Sequence, residues 1–307
     1  MNTTTTSSTV SRAASGQSKK RGRTAADIPV RRMYLPFEKE PARRGWYADS
    51  VVQSMFWDSF SLLLPEGEKF FVATVAHFRD AIEDPELRKQ VEAFIRQEAM
   101  HGVGHRGFNE MFIAQGQPTA RKREAEVVWL LNFVKEHLPP MWTLAATCAL
   151  EHFTGIMGEQ LLRDTAHHEN IDEDVRPMWL WHALEEVEHR AVAYDVFQEM
   201  GGGYATRTGI MFIASVILFA VMIRVTTSMV AEAGETTNVR GWFGLLNHHW
   251  GRPGIFRQLI PKYLQYYRPG FHPDDFDAEE LLATWREKLF GEDGIAKHRL
   301  KSVLTVA

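Results

Sequence analysis

The constraint that dominates this sequence is a spacing. Two segments, Glu98-Ala-Met-His101 and Glu186-Val-Glu-His189, set a carboxylate and an imidazole three positions apart. On a helix such residues project from one face, so each pair can grip a single ion. One helix earlier, each pair is preceded by a lone glutamate in apolar surroundings: Glu68 ahead of Glu98, and Glu151 ahead of Glu186. An unpaired carboxylate there would be costly. The resulting order, Glu, Glu-x-x-His, Glu, Glu-x-x-His, is the set with which carboxylate-bridged di-iron and di-manganese helical bundles hold two metals. The intervals from Glu68 to Glu98 and from Glu151 to Glu186 each accommodate antiparallel helices of roughly 20–30 residues plus a turn. Segments 68–101 and 151–189 then form a pseudo-repeat. The ordinary alternative, surface glutamates and satisfied core histidines, fits each residue singly but not their joint order.

The rest of the chain agrees with a helical frame. Apolar positions recur at helical spacing from Trp46 onward, and Gly or Pro punctuates at long intervals. Helices are expected near 46–63, 66–82, 85–115, 120–137, 140–168, 174–200, 207–232 and 254–267, with a short one near 277–289. Asp84 caps a helix that has Pro85 at its first position. Pro139-Pro140 interrupts the preceding helix, and Gly201-Gly202-Gly203 ends the one from near Asp174. The expected class is all-α, a four-helix bundle with additional N- and C-terminal helices. Residues 1–32 stand apart, rich in Ser and Thr, with a basic cluster (Lys19, Lys20, Arg21, Arg23) and one acid, Asp27. They read as a solvated, disordered tail, with targeting or docking as the second reading. The metal domain is expected over 33–270 and a C-terminal extension over 271–307.

Composition narrows the chemistry. A net charge of -4 in 307 residues argues against a dedicated nucleic-acid binder. Cys148 is the single cysteine, so an intrachain disulfide and a thiolate cluster are both excluded, which fits a reducing cytoplasm. Metals must therefore be held by His, Asp and Glu, which suits iron, manganese or zinc.

Other residues have two readings each. His182 shares a helix face with Glu186 and His189, as a further ligand or a packed core histidine. His105 shares the face of Glu98 and His101, as a ligand or a donor behind one. Glu185 and Glu188 read first as solvated helix acids and second as groups that orient a histidine. His152 reads as structural. Gly155 and Gly158 serve close helix packing or leave room beside the metals. The apolar run 209–223, bounded by Arg207 and Arg224, falls short of the roughly 20 residues a spanning helix needs. A buried core helix is its first reading and membrane contact its second. The His- and aromatic-rich segments 248–250 and 263–272 read as packing and turns that shape an entrance.

The strings Ser61-Leu-Leu-Leu-Pro65-Glu-Gly-Glu68-Lys-Phe-Phe71, Arg96-Gln-Glu98-Ala-Met-His101 and Trp181-His182-Ala-Leu-Glu185-Glu186-Val-Glu-His189 resemble the predicted metal-dependent hydrolases of the ferritin-like superfamily. The resemblance covers roughly residues 33–270 and implies hydrolysis. A more distant resemblance is to p-aminobenzoate N-oxygenase, a ferritin-like di-iron enzyme, which implies a ligand role for His182. The leading functional expectation is a non-haem di-iron oxidase or oxygenase of a small apolar substrate, served by an electron donor. The alternatives are a metal-dependent hydrolase and a non-catalytic metal-binding or membrane-associated protein. A homo-oligomer is compatible with all three.

Overall fold

A computed structural model describes residues 28–304. Four antiparallel rods form the bundle: α1 (Val51–Ala76), α2 (Pro85–Ala114), α4 (Pro140–Arg163), and a broken rod of α6 (Arg176–His189) and α7 (Val192–Glu199). Helix α3 (Thr119–His137) connects α2 to α4, and α5 (Thr165–Glu169) is a single turn before α6. Helix α8 (Tyr204–Glu232) lies against α4, α1 and α3. Helices α9 (Val239–Trp250) and α10 (Ile255–Gln265) pack on α1 and α4 respectively, and α11 (Glu279–Phe290) on α6. The expected all-α bundle is the fold observed.

Local chemistry accounts for several boundaries. The Asp84 side chain accepts from Glu86 N and Pro85 opens α2, as the sequence predicts. Helix α1 begins only at Val51, because Ala48 and Asp49 take positive φ and the Ser50 side chain caps the helix at Gln53 N. The expected break at Pro65 does not occur. Leu62, Leu64, Phe70 and Phe71 are buried on both sides of the proline, and this packing outweighs the lost backbone hydrogen bond. The helix expected over 174–200 is instead split at Arg190–Ala191, where Arg190 Nε turns to bond Asp274 Oδ1 at 3.1 Å. Helix α9 was not expected, since its two glycines and bulky aromatics lower helix propensity. The Asn238 side chain caps it at Gly241 N.

Two further corrections follow. Residues 28–32, assigned to the tail, are part of the fold, although Arg32 is exposed. Strand β1 (Val30–Met33) pairs antiparallel with β2 (Leu300–Leu304), and Ile28, Val30 and Arg31 are buried. Strand pairing and an ion pair described below hold this segment, which composition alone does not reveal. The tail expectation for residues 1–27 lies outside the described residues. The run 209–223 is not a buried core helix: only 22% of the most apolar window of α8 is buried. A helix that is apolar all round does not disclose in sequence which face is packed.

Candidate metal centre

Each bundle rod contributes inward-facing groups. Glu68 comes from α1, Glu98 and His101 from α2, Glu151 from α4, and His182, Glu186 and His189 from α6. All seven are buried. Close helix packing brings α4 and α6 together: a Cβ built on Gly158 would meet the Ala183 carbonyl oxygen at 2.8 Å, and one on Gly155 would meet Arg190 Cβ at 3.2 Å. Both glycines serve packing, and Gly158 also lines the small cavity beside His182 and Glu186, in keeping with both of its readings.

The donor atoms converge. Among the described residues, four groups of potential ligand atoms lie within 4.8 Å of one another: Glu68, Glu98 and His101; Glu98, Glu151 and His189; His101, His182 and Glu186; and Glu68, His105 and His182. Glu98 belongs to the first two. Glu186 stands 3.6 Å from His101 Nδ1 and 3.7 Å from His189 Nε2, so it too lies between the halves. Glu68 and Glu151 lie at the two ends. Both oxygens of Glu68, Glu98 and Glu151, Glu186 Oε2, His101 Nδ1 and His189 Nε2 are buried without a hydrogen-bond partner. His189 Nε2 is 3.0 Å from Glu98 Oε1 but is not aligned to donate to it. Native interiors rarely tolerate so many orphaned polar atoms in one place.

The outer nitrogens of the histidines are fixed. His101 Nε2 donates to Glu185 Oε2 at 3.0 Å. His189 Nδ1 donates to Gln97 Oε1 at 2.9 Å, an acceptor because Gln97 Nε2 donates to the Pro29 carbonyl. In the neutral ring each inner nitrogen is then a lone pair turned toward the cluster. Behind them a single guanidinium joins the two halves. Arg31 bonds Glu185 at 2.9 Å and Glu188 at 2.8 Å, and Gln97 Nε2 also reaches Glu188 at 3.1 Å. Arg286 Nε donates to Glu188 at 2.7 Å. Glu185 and Glu188 are thus buried and paired, correcting their reading as solvated acids. Arg31 and Gln97 were missed, and only Gln97, next to Glu98, left any trace in the sequence.

His182 is held by a second chain with a defined direction. Asn109 Nδ2 donates to the Ser61 carbonyl, so Asn109 Oδ1 faces and accepts from Ser61 Oγ at 2.7 Å. Ser61 Oγ has then spent its hydrogen and accepts from His105 Nδ1 at 2.8 Å. His105 Nε2 accepts from His182 Nδ1 at 2.6 Å. His182 Nε2 meets Glu186 Oε1 at 2.8 Å. Burial, with repulsion from His182 on His105 and from His101 on His182, holds both rings below the ordinary histidine range, consistent with neutral rings. His105 stands behind His182. His152 Nε2 meets the Lys262 carbonyl at 3.2 Å, in keeping with a structural role, and His248 Nε2 bonds the Tyr47 hydroxyl at 2.6 Å.

The electrostatics call for cations. Burial pushes Glu151 up to about 8, and burial and Glu98 raise Glu68 well above the carboxylate range. Burial alone would lower His189, but Glu151 and Glu186 overcome it and hold the ring well above its usual value. Burial would also raise Glu98 and Glu186, but His101 and His189 hold Glu98 below, and His189 and His182 hold Glu186 well below, the usual carboxylate range. Without metal, protons on Glu68, Glu151 and the histidines balance the cluster, a role divalent ions would take directly. The donor set and the orphaned atoms therefore fit a pair of metal ions.

A family model for predicted metal-dependent hydrolases matches residues 29–277. This chain belongs to that family. No curated protein and no solved structure matches it. The family's description names hydrolysis, so it favours the hydrolase alternative over the oxygenase expectation. It leaves the metal itself unspecified.

Proposed function

We propose that this predicted metal-dependent hydrolase uses two metal ions to cleave a largely apolar substrate. Glu68, Glu98 and His101 would hold one ion and Glu151, Glu186 and His189 the other, with Glu98 and Glu186 between them and His182 as a further ligand. The observation that carries this reading is the convergence of orphaned carboxylate oxygens and imidazole lone pairs at one buried point. When bound, two metals supply Lewis acidity and a water acidic enough to attack near neutral pH. The chain's own groups keep the ligands in position. Glu185 and Gln97 hold the outer protons of His101 and His189, fixing ring orientation as metal-bound imidazoles require. Arg31 pairs with both Glu185 and Glu188, so the buried carboxylates behind the histidines carry a balancing charge. Trp179, Trp57 and Phe60 wall the small cavity beside His182 and Glu186, limiting water there.

A second reading, dioxygen-dependent oxidation at a di-iron site, has one observation in its favour. That cavity is lined mainly by apolar side chains, with Tyr47, Thr154, Gln160 and His167 as its polar groups besides the ligands, a poor environment for charged hydrolytic products. The deciding experiment measures metal content per purified chain, then assays p-nitrophenyl ester cleavage and reductant-dependent oxygen uptake on the same sample. Two zinc or manganese ions with ester cleavage and no oxygen uptake support hydrolysis. Two irons with oxygen uptake transfer the site to oxidation. No metal after anaerobic reconstitution overturns both.

A further inference from the structure

Helices α8 and α9 each turn an apolar stripe to solvent. On α8 it comprises Phe212, Val216, Phe219 and Ile223, and on α9 Val239, Phe243, Leu246 and Trp250, all exposed. Both follow the spacing i, i+4, i+7, i+11, one continuous face of a helix. Phe243 is 71% exposed and Phe212 63%, and apolar faces of this extent mark interaction sites. The opposite face of α8 (Ile210, Met211, Met222, Val225) is packed on the bundle, so this helix lies along a surface rather than standing free. Arg224, next to Ile223 on the α8 side, is paired with Glu126, but on the α9–α10 side the charge has one sign. From Val239 to Arg268 the sequence contains no Asp or Glu, while Arg240, Arg252 and Arg257 are exposed.

Behind the face lies an apolar cavity of about 610 Å³. Phe219, Ile223, Leu246, Trp250, Ile260 and Leu264 line it and are themselves exposed, so it opens on this surface. Its inner wall includes Phe60, Met157, Phe256 and Leu259, which also line the small cavity touching His182 and Glu186. These four side chains form a shared wall between the exposed cavity and the small one that touches His182 and Glu186.

We propose that the α8–α9 face seats this protein on an anionic lipid bilayer, and that the cavity takes a long-chain substrate from the leaflet toward the metals. Apolar stripes flanked by arginines and tryptophan match the interfacial layer of such a membrane. The assignment of the substrate chain rests on the metal-centre reading; the lipid seat does not.

The test uses the full chain and vesicles of phosphatidylcholine, alone or mixed with phosphatidylglycerol. Cosedimentation with the mixed vesicles is expected, with tryptophan quenching when the acyl chains are brominated. Phe243→Glu combined with Leu246→Glu should reduce the bound fraction about tenfold or more, with circular dichroism unchanged. Should that variant misfold, Arg252→Gln with Arg257→Gln, both at exposed positions, should weaken binding to the mixed vesicles. Bromododecanoic acid, added without vesicles, should quench the cavity tryptophans Trp242 and Trp250. Wild-type protein left in the supernatant, binding without quenching by brominated chains, or a dimer that hides the face would each overturn the lipid seat. Vesicle binding without quenching by bromododecanoic acid would overturn the long-chain route. Metal content, measured in parallel, tests the metal-centre reading separately.

Discussion

At the residue scale the metal centre depends on atoms that have no partner within the protein. Replacing Glu98, which faces both halves, or His189 with alanine is expected to lower metal content from two ions per chain to one or none, read by elemental analysis. Full occupancy in both variants would refute the ligand set. Arg31 is expected to matter almost as much although it touches no metal. Arg31→Met would leave Glu185 and Glu188 buried with less compensating charge and cost about 3–5 kcal/mol, seen as a lower urea midpoint. An effect below about 1 kcal/mol would show that Arg286 and Gln97 suffice. Asp58 gives a test through pH. Burial pushes it up to about 8, while Trp46 Nε1 donates to it. The folded protein therefore keeps a proton that the unfolded chain releases near pH 4. The contribution of this group is intact below that pH, falls as pH rises toward about 8, and is then constant. Thermal scans should show a shallower decline for Asp58→Asn across that window, and parallel profiles would refute the assignment. Glu98 and His189 were legible from spacing, but Asp58 and Arg31 were not, because only the fold buries them.

Elements were legible where local chemistry is strong. The Asp84-Pro85 start of α2 was readable because cap and proline act within a single turn. Pro65 and Arg190 show the opposite case. Packing carries α1 through a proline, and a distant carboxylate, Asp274, accompanies the break between α6 and α7. Propensity contributes only about 1 kcal/mol at most positions, so tertiary contacts can reverse it. The glycines of α4 were legible as residues but ambiguous in role until the position of Ala183 was known. Gly158→Ala would press a methyl group against that backbone and is expected to cost about 1–3 kcal/mol, with reduced metal occupancy as α4 and α6 separate. Unchanged stability and metal content would show that the two helices can yield.

For the whole molecule, folding and metal binding should be linked, since the clustered carboxylates repel until cations neutralise them. Stripping metal with a chelator is expected to lower the melting temperature by several degrees, and reloading should restore it; an unchanged melting point would place the ions elsewhere. The sequence by itself determined the helical class and the metal-binding pattern, because both rest on periodicity and on residue types that repeat within one or two turns. It also excluded a thiolate metal cluster, since one cysteine cannot build one. Only the tertiary structure decided that Glu98 and Glu186 lie between the two halves, and that Arg31 from an expected tail balances Glu185 and Glu188. It likewise decided that α8 turns an apolar face outward. These are outcomes of long-range packing and desolvation: a glutamate, an arginine or a phenylalanine has the same letter whether water or protein surrounds it.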